Sequence, residues 1–283
     1  MDDLPIAFCE SAVSQLASDN LIHVAYLDNA TWSKSSTSYQ ERSSTYIFAL
    51  MQEPGSNELH WNLLTESQEN GPSLKLTDLN PKFAYIKTAT FYGRFIERGH
   101  FHVSKASEKL NLLKLVWAYL KEDSEFACMD EEVQDLIVEN DLLRSFVIFQ
   151  LEYFGLASKT LFEAQNKEKL QYCDLIGWKD EVCEDLLFSN VLDTLLLSKN
   201  SCIPSMDLLT AYVDKHMEDP DYKLSLIVDN AQDRFEAFFE HVRTYPYEIG
   251  QDESHVRIIK KNGVRITLKT DGDTLIAVCR PSF

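Results

Sequence analysis

The run Leu192-Asp193-Thr194-Leu195-Leu196-Leu197-Ser198-Lys199-Asn200 constrains the fold more than any other stretch of the chain. Leu192, Leu195, Leu197 and Asn200 stand at the spacing L-x-x-L-x-L-x-x-N. In an extended chain successive side chains alternate between faces, so Leu195 and Leu197 share one face and predict a strand with an apolar side. The Asn side chain can bond loop backbone where the chain turns toward a helix. Met206, Leu209, Val213 and Met217 follow at helical spacing.

Three looser copies surround this unit. Leu170, Cys173 and Leu175 repeat the pattern, with Trp178 in place of Asn; Leu143, Phe146 and Ile148 repeat it, with Leu151 there. Leu224 and Leu226 repeat part of it ahead of Asp229, and Phe235, Phe238, Phe239 and Val242 form a second helical face. Taking Phe146, Cys173, Leu195 and Leu224 as equivalent gives steps of 27, 22 and 29 residues. Leucine-rich repeats step by about 20–29 residues, which makes a degenerate repeat the expectation for this region. The alternative is an ordinary α/β layer domain with repetitive spacing.

The chain has 283 residues, 45% hydrophobic and 25% charged, a globular composition. No apolar run approaches the ~18 residues of a membrane span, and the acidic N-terminus lacks the features of a secretory signal. The six cysteines show no zinc spacing and read as free thiols in a reducing compartment, cytoplasmic or nuclear. The sequon Asn29-Ala30-Thr31 is then not expected to carry a glycan. A net charge of −18 disfavours nucleic acid and acidic membranes as partners. Nine acids from Glu122 to Asp141, with no Lys or Arg among them, are expected to line a solvated helix face with its loops.

Residues 1–42 predict a small helical unit. Leu4-Pro5 opens it, Phe8, Val13 and Leu16 space a first helix, and Asp19 and Asn20 can cap a second carrying Leu21, Val24 and Leu27. Trp32 lies in a third, ending by Arg42. With its L-P-x-x-F-x-x-x-x-V-x-x-L start, this stretch resembles an F-box. The resemblance implies contact with the Skp-type adaptor of a cullin–RING ubiquitin ligase through Leu4, Pro5, Phe8, Val13, Leu16, Leu21, Leu27 and Trp32. A helical cap on the following segment is the structural alternative.

Residues 43–105 read as a β-rich segment, with strands at Tyr46–Met51, Leu59–Leu63 and Phe83–Phe91 and a turn at Glu53-Pro54-Gly55-Ser56. Residues 106–245 hold the βα repeats, led by an amphipathic helix with Leu110, Leu113, Trp117 and Leu120. Residues 246–283 predict an antiparallel meander around Asn262-Gly263 and Asp271-Gly272, closing the open end of the repeats. The fold class is thus α/β. The whole order resembles the F-box-associated proteins expanded in nematodes, in which the repeats and tail are taken to bind substrates for ubiquitination.

No phosphate-binding loop, dinucleotide fingerprint, serine elbow or H-E-x-x-H motif occurs, so no catalytic residue, metal ligand or cofactor is assigned. His100 and His102 lack nearby further ligands, and Asp271 and Asp273 read as turn residues. Tyr245 and Tyr247 beside Pro246 read as a packed corner. Lys260, Lys261, Arg265 and Lys269 form the one basic cluster, read as a solvated strand edge. The expected function is therefore a non-enzymatic substrate receptor that binds an adaptor through residues 1–42 and an unknown protein through the repeats. The alternative is an interaction scaffold whose helical cap has lost adaptor binding; an unrecognised enzyme ranks last.

Overall fold

A computed structural model describes residues 6–14, 16, 18–27, 29–66, 73–93, 101–179, 184–198, 201–219, 221–229, 238, 240, 247–249, 255–259, 265–271 and 274–280. The chain is mixed α/β and divides into two units, residues 1–146 and 147–283.

The first unit begins with helices α1 (Ile6–Val13), α2 (Ser18–Ala25) and α3 (Ala30–Arg42). Asn29 caps α3, its side-chain oxygen accepting from the backbone N–H groups of Thr31 and Trp32. The hydroxyls of Ser33 and Ser36 donate to the carbonyls of Ala25 and Leu21, both at 2.6 Å, so α3 closes the end of α2. Asp19 and Asn20 lie inside the first turn of α2 rather than ahead of it, because the helix already starts at Ser18.

Strands β1 (Ser44–Met51) and β2 (Glu58–Thr65) form the expected hairpin, turning through Gly55 at φ +78°. β3 (Ala84–Tyr92) and β5 (Leu120–Met129) align parallel to β1, and β4 (His102–Lys105) lies antiparallel on β2. The strand order is β5-β3-β1-β2-β4. Helices α4 (Lys109–Trp117) and α5 (Glu131–Glu139) flank β5.

Two expectations for this unit are corrected. The helix carrying Leu110 and Leu113 stops at Trp117, and Leu120 opens a strand. The acidic strip is therefore not one helix face. Its first part is β5, where Ser124, Phe126 and Cys128 alternate inward between Asp123, Glu125 and Ala127. The core is aromatic: Phe126 stacks on Phe146 at 4.8 Å, Trp117 meets Phe126 edge-on at 5.9 Å, and the Trp117 indole N–H donates to the Leu142 carbonyl at 2.6 Å.

The second unit alternates strand and helix: β6 (Ile148–Glu152), α6 (Leu156–Glu163), β7 (Tyr172–Ile176), α7 (Glu184–Leu187), β8 (Thr194–Ser198), α8 (Met206–Glu218) and β9 (Ser225–Val228). The four strands are parallel, with Phe149, Cys173, Leu195 and Leu226 in register. Leu195 and Leu197 are fully buried, as the sequence pattern requires. The first and last copies shift. Phe146 gives way to Phe149 and Leu224 to Leu226, so the steps are 24, 22 and 31 residues. Leu143 is exposed ahead of β6, and Phe146 belongs to the aromatic core of the first unit.

Asn200 lies outside the described residues, and its neighbour Ser201 does the bonding expected of it. The buried Ser201 hydroxyl donates toward the carbonyls of Leu175 (2.8 Å) and Ser198 (2.7 Å) and accepts from the Trp178 N–H (3.0 Å). β10 (Tyr247–Ile249), β11 (His255–Ile259), β12 (Arg265–Asp271) and β13 (Thr274–Arg280) form an antiparallel meander whose last strand pairs with β9. It extends the sheet of the second unit beyond β9. Phe235, Phe239, Val242, Tyr245 and the turns at Asn262-Gly263 and Gly272-Asp273 lie outside the described residues.

Candidate protein-docking surface

Helices α1–α3 separate the residues singled out for adaptor contact into two sets. Val13 and Leu21 are buried with Tyr39 in a small core, against which Leu16, Val24, Trp32 and Phe83 pack. Phe8 and Leu27 are 53% and 50% exposed, and Tyr26 beside Leu27 is also exposed. The Phe8 and Trp32 rings meet edge to face at 6.4 Å, so the half-buried Trp32 joins Phe8. Leu4 and Pro5 lie outside the described residues.

The same helices are held by residues from the rest of the first unit. Phe83 meets Tyr39 at 5.7 Å, and the Arg42 guanidinium lies 4.4 Å from the Phe83 ring centre. Glu10 pairs with Lys82 at 2.5 Å and Arg42 at 3.3 Å, and bonding to these cations lowers the Glu10 pKa. From β5, the Lys121 ammonium donates to the Leu16 carbonyl (3.2 Å) and to the Tyr39 hydroxyl (3.3 Å), near the rings of Tyr39 and Tyr85. Desolvation there lowers the Lys121 pKa, against the opposing charge of Asp123. Burial raises the Tyr39 pKa. Sequence reasoning missed Lys121, Phe83 and Lys82, because a contact more than forty positions distant leaves no local pattern.

Polar groupings also lie elsewhere in each unit. Gln150 and Ser198 donate to the two oxygens of the buried Asp174 at 2.7 and 3.1 Å across β6, β7 and β8. His102 stacks on Trp61 at 4.4 Å with its Nε2 3.1 Å from the Leu74 carbonyl; His100 lies outside the described residues. Among the described residues no three His, Cys, Asp or Glu side chains gather as a metal site. A hydroxyl-rich cleft of about 400 Å³ is lined by Ser43, Ser44, Thr45, Thr65 and Glu66. None of the expected adaptor residues lines it. Among the described residues no helix is long and apolar enough to cross a membrane.

In comparisons with known proteins, no family model, no curated protein and no solved structure matches the chain.

Proposed function

We propose that this chain is a non-enzymatic substrate receptor of a cullin–RING ubiquitin ligase. In this reading α1–α3 form an F-box-like unit that docks a Skp-type adaptor, and the leucine-rich-like βα steps of the second unit hold a protein partner. The observation that carries it is the split among the apolar residues of α1–α3. Val13 and Leu21 close the small core, whereas Phe8, beside Trp32, and Tyr26 and Leu27 in the turn after α2 stay in solvent. Large apolar side chains left exposed in one small helical unit are available to a partner, which supports the reading. Interfaces concentrate their energy in a few such anchors.

A second reading is favoured by the Lys121 and Phe83 contacts. They make α1–α3 a cap on the sheet of the first unit, which needs no adaptor. The experiment that separates the two is affinity purification of the tagged chain with mass spectrometry, run beside a variant carrying Phe8→Ser and Leu27→Ser. The receptor reading expects adaptor and cullin peptides with the wild type and their loss with the variant. The variant's stability should change by no more than about 0.5 kcal/mol, as for exposed positions generally. Absence of any adaptor from the wild-type preparation overturns it in favour of the cap.

A further inference from the structure

Neither adaptor docking nor partner binding uses the hydroxyl-rich cleft of the first unit. It lies where β1 begins and β2 ends, and its volume of about 400 Å³ falls within the ~300–1,000 Å³ of small-molecule sites. Such sites are mostly apolar with a few polar groups, whereas this one is walled by Ser43, Ser44, Thr45, Thr65 and Glu66. The Ser43 hydroxyl donates to the Gln40 carbonyl at 3.0 Å. Those of Ser44, Thr45 and Thr65 bond to no described residue, and Thr45 and Thr65 are half-buried. The cleft therefore offers these hydroxyls and one carboxylate to a ligand.

An irregularity in β3 serves the same cleft. Along β1, Tyr46 pairs with Ile86 and Ile47 with Thr88, so Lys87 is an extra residue in β3. The register with β5 shifts at the same place. A bulge interrupts the ladder and re-aims the side chain it inserts. Here the inserted Lys87 ammonium meets the Glu66 carboxylate at 2.7 Å, on the cleft wall. The two side chains are 40% and 47% exposed, and an ion pair so open to water contributes little to stability. A bulge between two parallel neighbours, kept for a weak surface pair, points to a role for that pair beyond folding.

We propose that this cleft binds a small neutral polyol of monosaccharide size. Vicinal sugar hydroxyls can donate to the Glu66 carboxylate and accept from the Lys87 ammonium beside it, while the hydroxyls of Ser44, Thr45 and Thr65 both give and take. An apolar ligand would leave those groups unpaired. An anion is disfavoured because the nearby cations are engaged. Lys87 is held by Glu66, with the charges of Glu125 and Asp123 adding to its field. Arg42, next to Ser43 in the chain, and Lys82 are both bonded to Glu10, and Lys121 donates to the Leu16 carbonyl and the Tyr39 hydroxyl.

The test is saturation-transfer NMR on the full chain with glucose, galactose, mannose and N-acetylglucosamine, each also as its methyl glycoside, and with methyl phosphate as the anionic control. At least one sugar should bind at roughly millimolar affinity, and methyl phosphate should not. Thr45→Val with Thr65→Val keeps the shape of both side chains and their suitability for a strand but removes the hydroxyls, and should weaken that sugar by about ten-fold or more. Glu66→Gln should weaken it as well, while Glu168→Gln, at an exposed carboxylate of the second unit, leaves it unchanged. If the valine variant does not fold, Glu66→Gln, at an exposed position, decides alone. Loss of binding on methylation of the anomeric hydroxyl assigns a free sugar, and retained binding a glycan end. Binding by none of the sugars, tighter binding of methyl phosphate, or sugar binding untouched by the cleft variants overturns the proposal. No adaptor or partner protein enters the titration, so its outcome is independent of the receptor reading.

Discussion

Lys109 offers a measurement of what a buried charge does in this fold. Its side chain is 2% exposed at the start of α4, with its ammonium 2.5 Å from Glu132 and 3.7 Å from Asp130. The two acids are not equivalent: Glu132 is 60% exposed and Asp130 8%. Asp130 is also the N-cap of α5, accepting from the Val133 N–H at 3.0 Å. Lys109→Met keeps most of the buried stem and removes the charge. Glu132 can then turn to water and loses roughly the 0–1 kcal/mol of a surface pair. Asp130 cannot, and an uncompensated buried carboxylate costs about 3–5 kcal/mol.

For a unit of this size each kcal/mol shifts Tm by about 2–4 °C, so a loss near 3 kcal/mol means a fall of about 6–12 °C. Adding Asp130→Asn should restore most of it. Asparagine caps a helix as well as aspartate and leaves no charge behind. The assay is thermal denaturation followed by tryptophan fluorescence in a Trp178→Phe background, where Trp32, Trp61 and Trp117 report on the first unit. If the double variant is as unstable as Lys109→Met, the cost lies in packing of the lysine stem and the electrostatic reasoning fails.

Two further perturbations follow from local geometry. Asp141 follows α5 at φ +51°, with its own N–H bonded to the Val138 carbonyl and that of Leu142 to Ile137, a cap that glycine fits without strain. Asp141→Gly is expected to raise stability by up to about 1 kcal/mol in urea, and a loss of similar size would show that the aspartate side chain serves the cap. Burial raises the Tyr85 pKa, with Asp123 adding to it, and burial likewise raises those of Tyr39 and Cys128. The folded chain then holds protons that the unfolded chain releases at about pH 8.5–10, so this stability is fully present below that range and is lost progressively as pH rises above it toward the raised folded values. Tyr85→Phe should move the alkaline unfolding midpoint upward; an unmoved midpoint would assign the transition to other groups.

How much of this was legible in the sequence depended on whether a local period carried it. β8 was legible because Leu195 and Leu197 sit two apart between signals that locate the strand. β6 slipped by three residues because Leu143, Phe146, Ile148, Phe149 and Leu151 offer several apolar spacings, and only pairing with β7 selects Phe149 and Leu151. β5 was masked by its acids, although Ser124, Phe126 and Cys128 keep a period of two beneath them. The parallel alignment of β1, β3 and β5 left no sequence trace, since pairing partners lie more than thirty residues apart. Of the basic cluster, Arg265 and Lys269 lie on β12, whose register with β11 and β13 no local pattern announced. Lys260 and Lys261 lie outside the described residues.

The distribution of apolar residues in α1–α3 bears on why such a unit keeps Phe8 and Leu27 at all. An eight-residue helix such as α1 presents about two turns, enough for one buried stripe. Val13 fills that stripe, with Cys9 one turn earlier and also buried, and Leu16 follows beyond the helix end. Phe8 lies off that stripe with an edge contact to Trp32, and an exposed phenylalanine gives up hydrophobic stabilisation that a buried one would supply. Leu27, in the turn after α2, is in the same position, while Ser35 and Ser36 occupy buried sites where larger apolar residues could have been used. Beside the buried Val13, Leu21 and Tyr39, two serines inside while Phe8 and Leu27 stand outside run against what stability alone selects. The inversion is accounted for if α2 and α3 must approach closely, with the Ser36 hydroxyl closing on the Leu21 carbonyl, while Phe8 and Leu27 serve a surface that another protein covers.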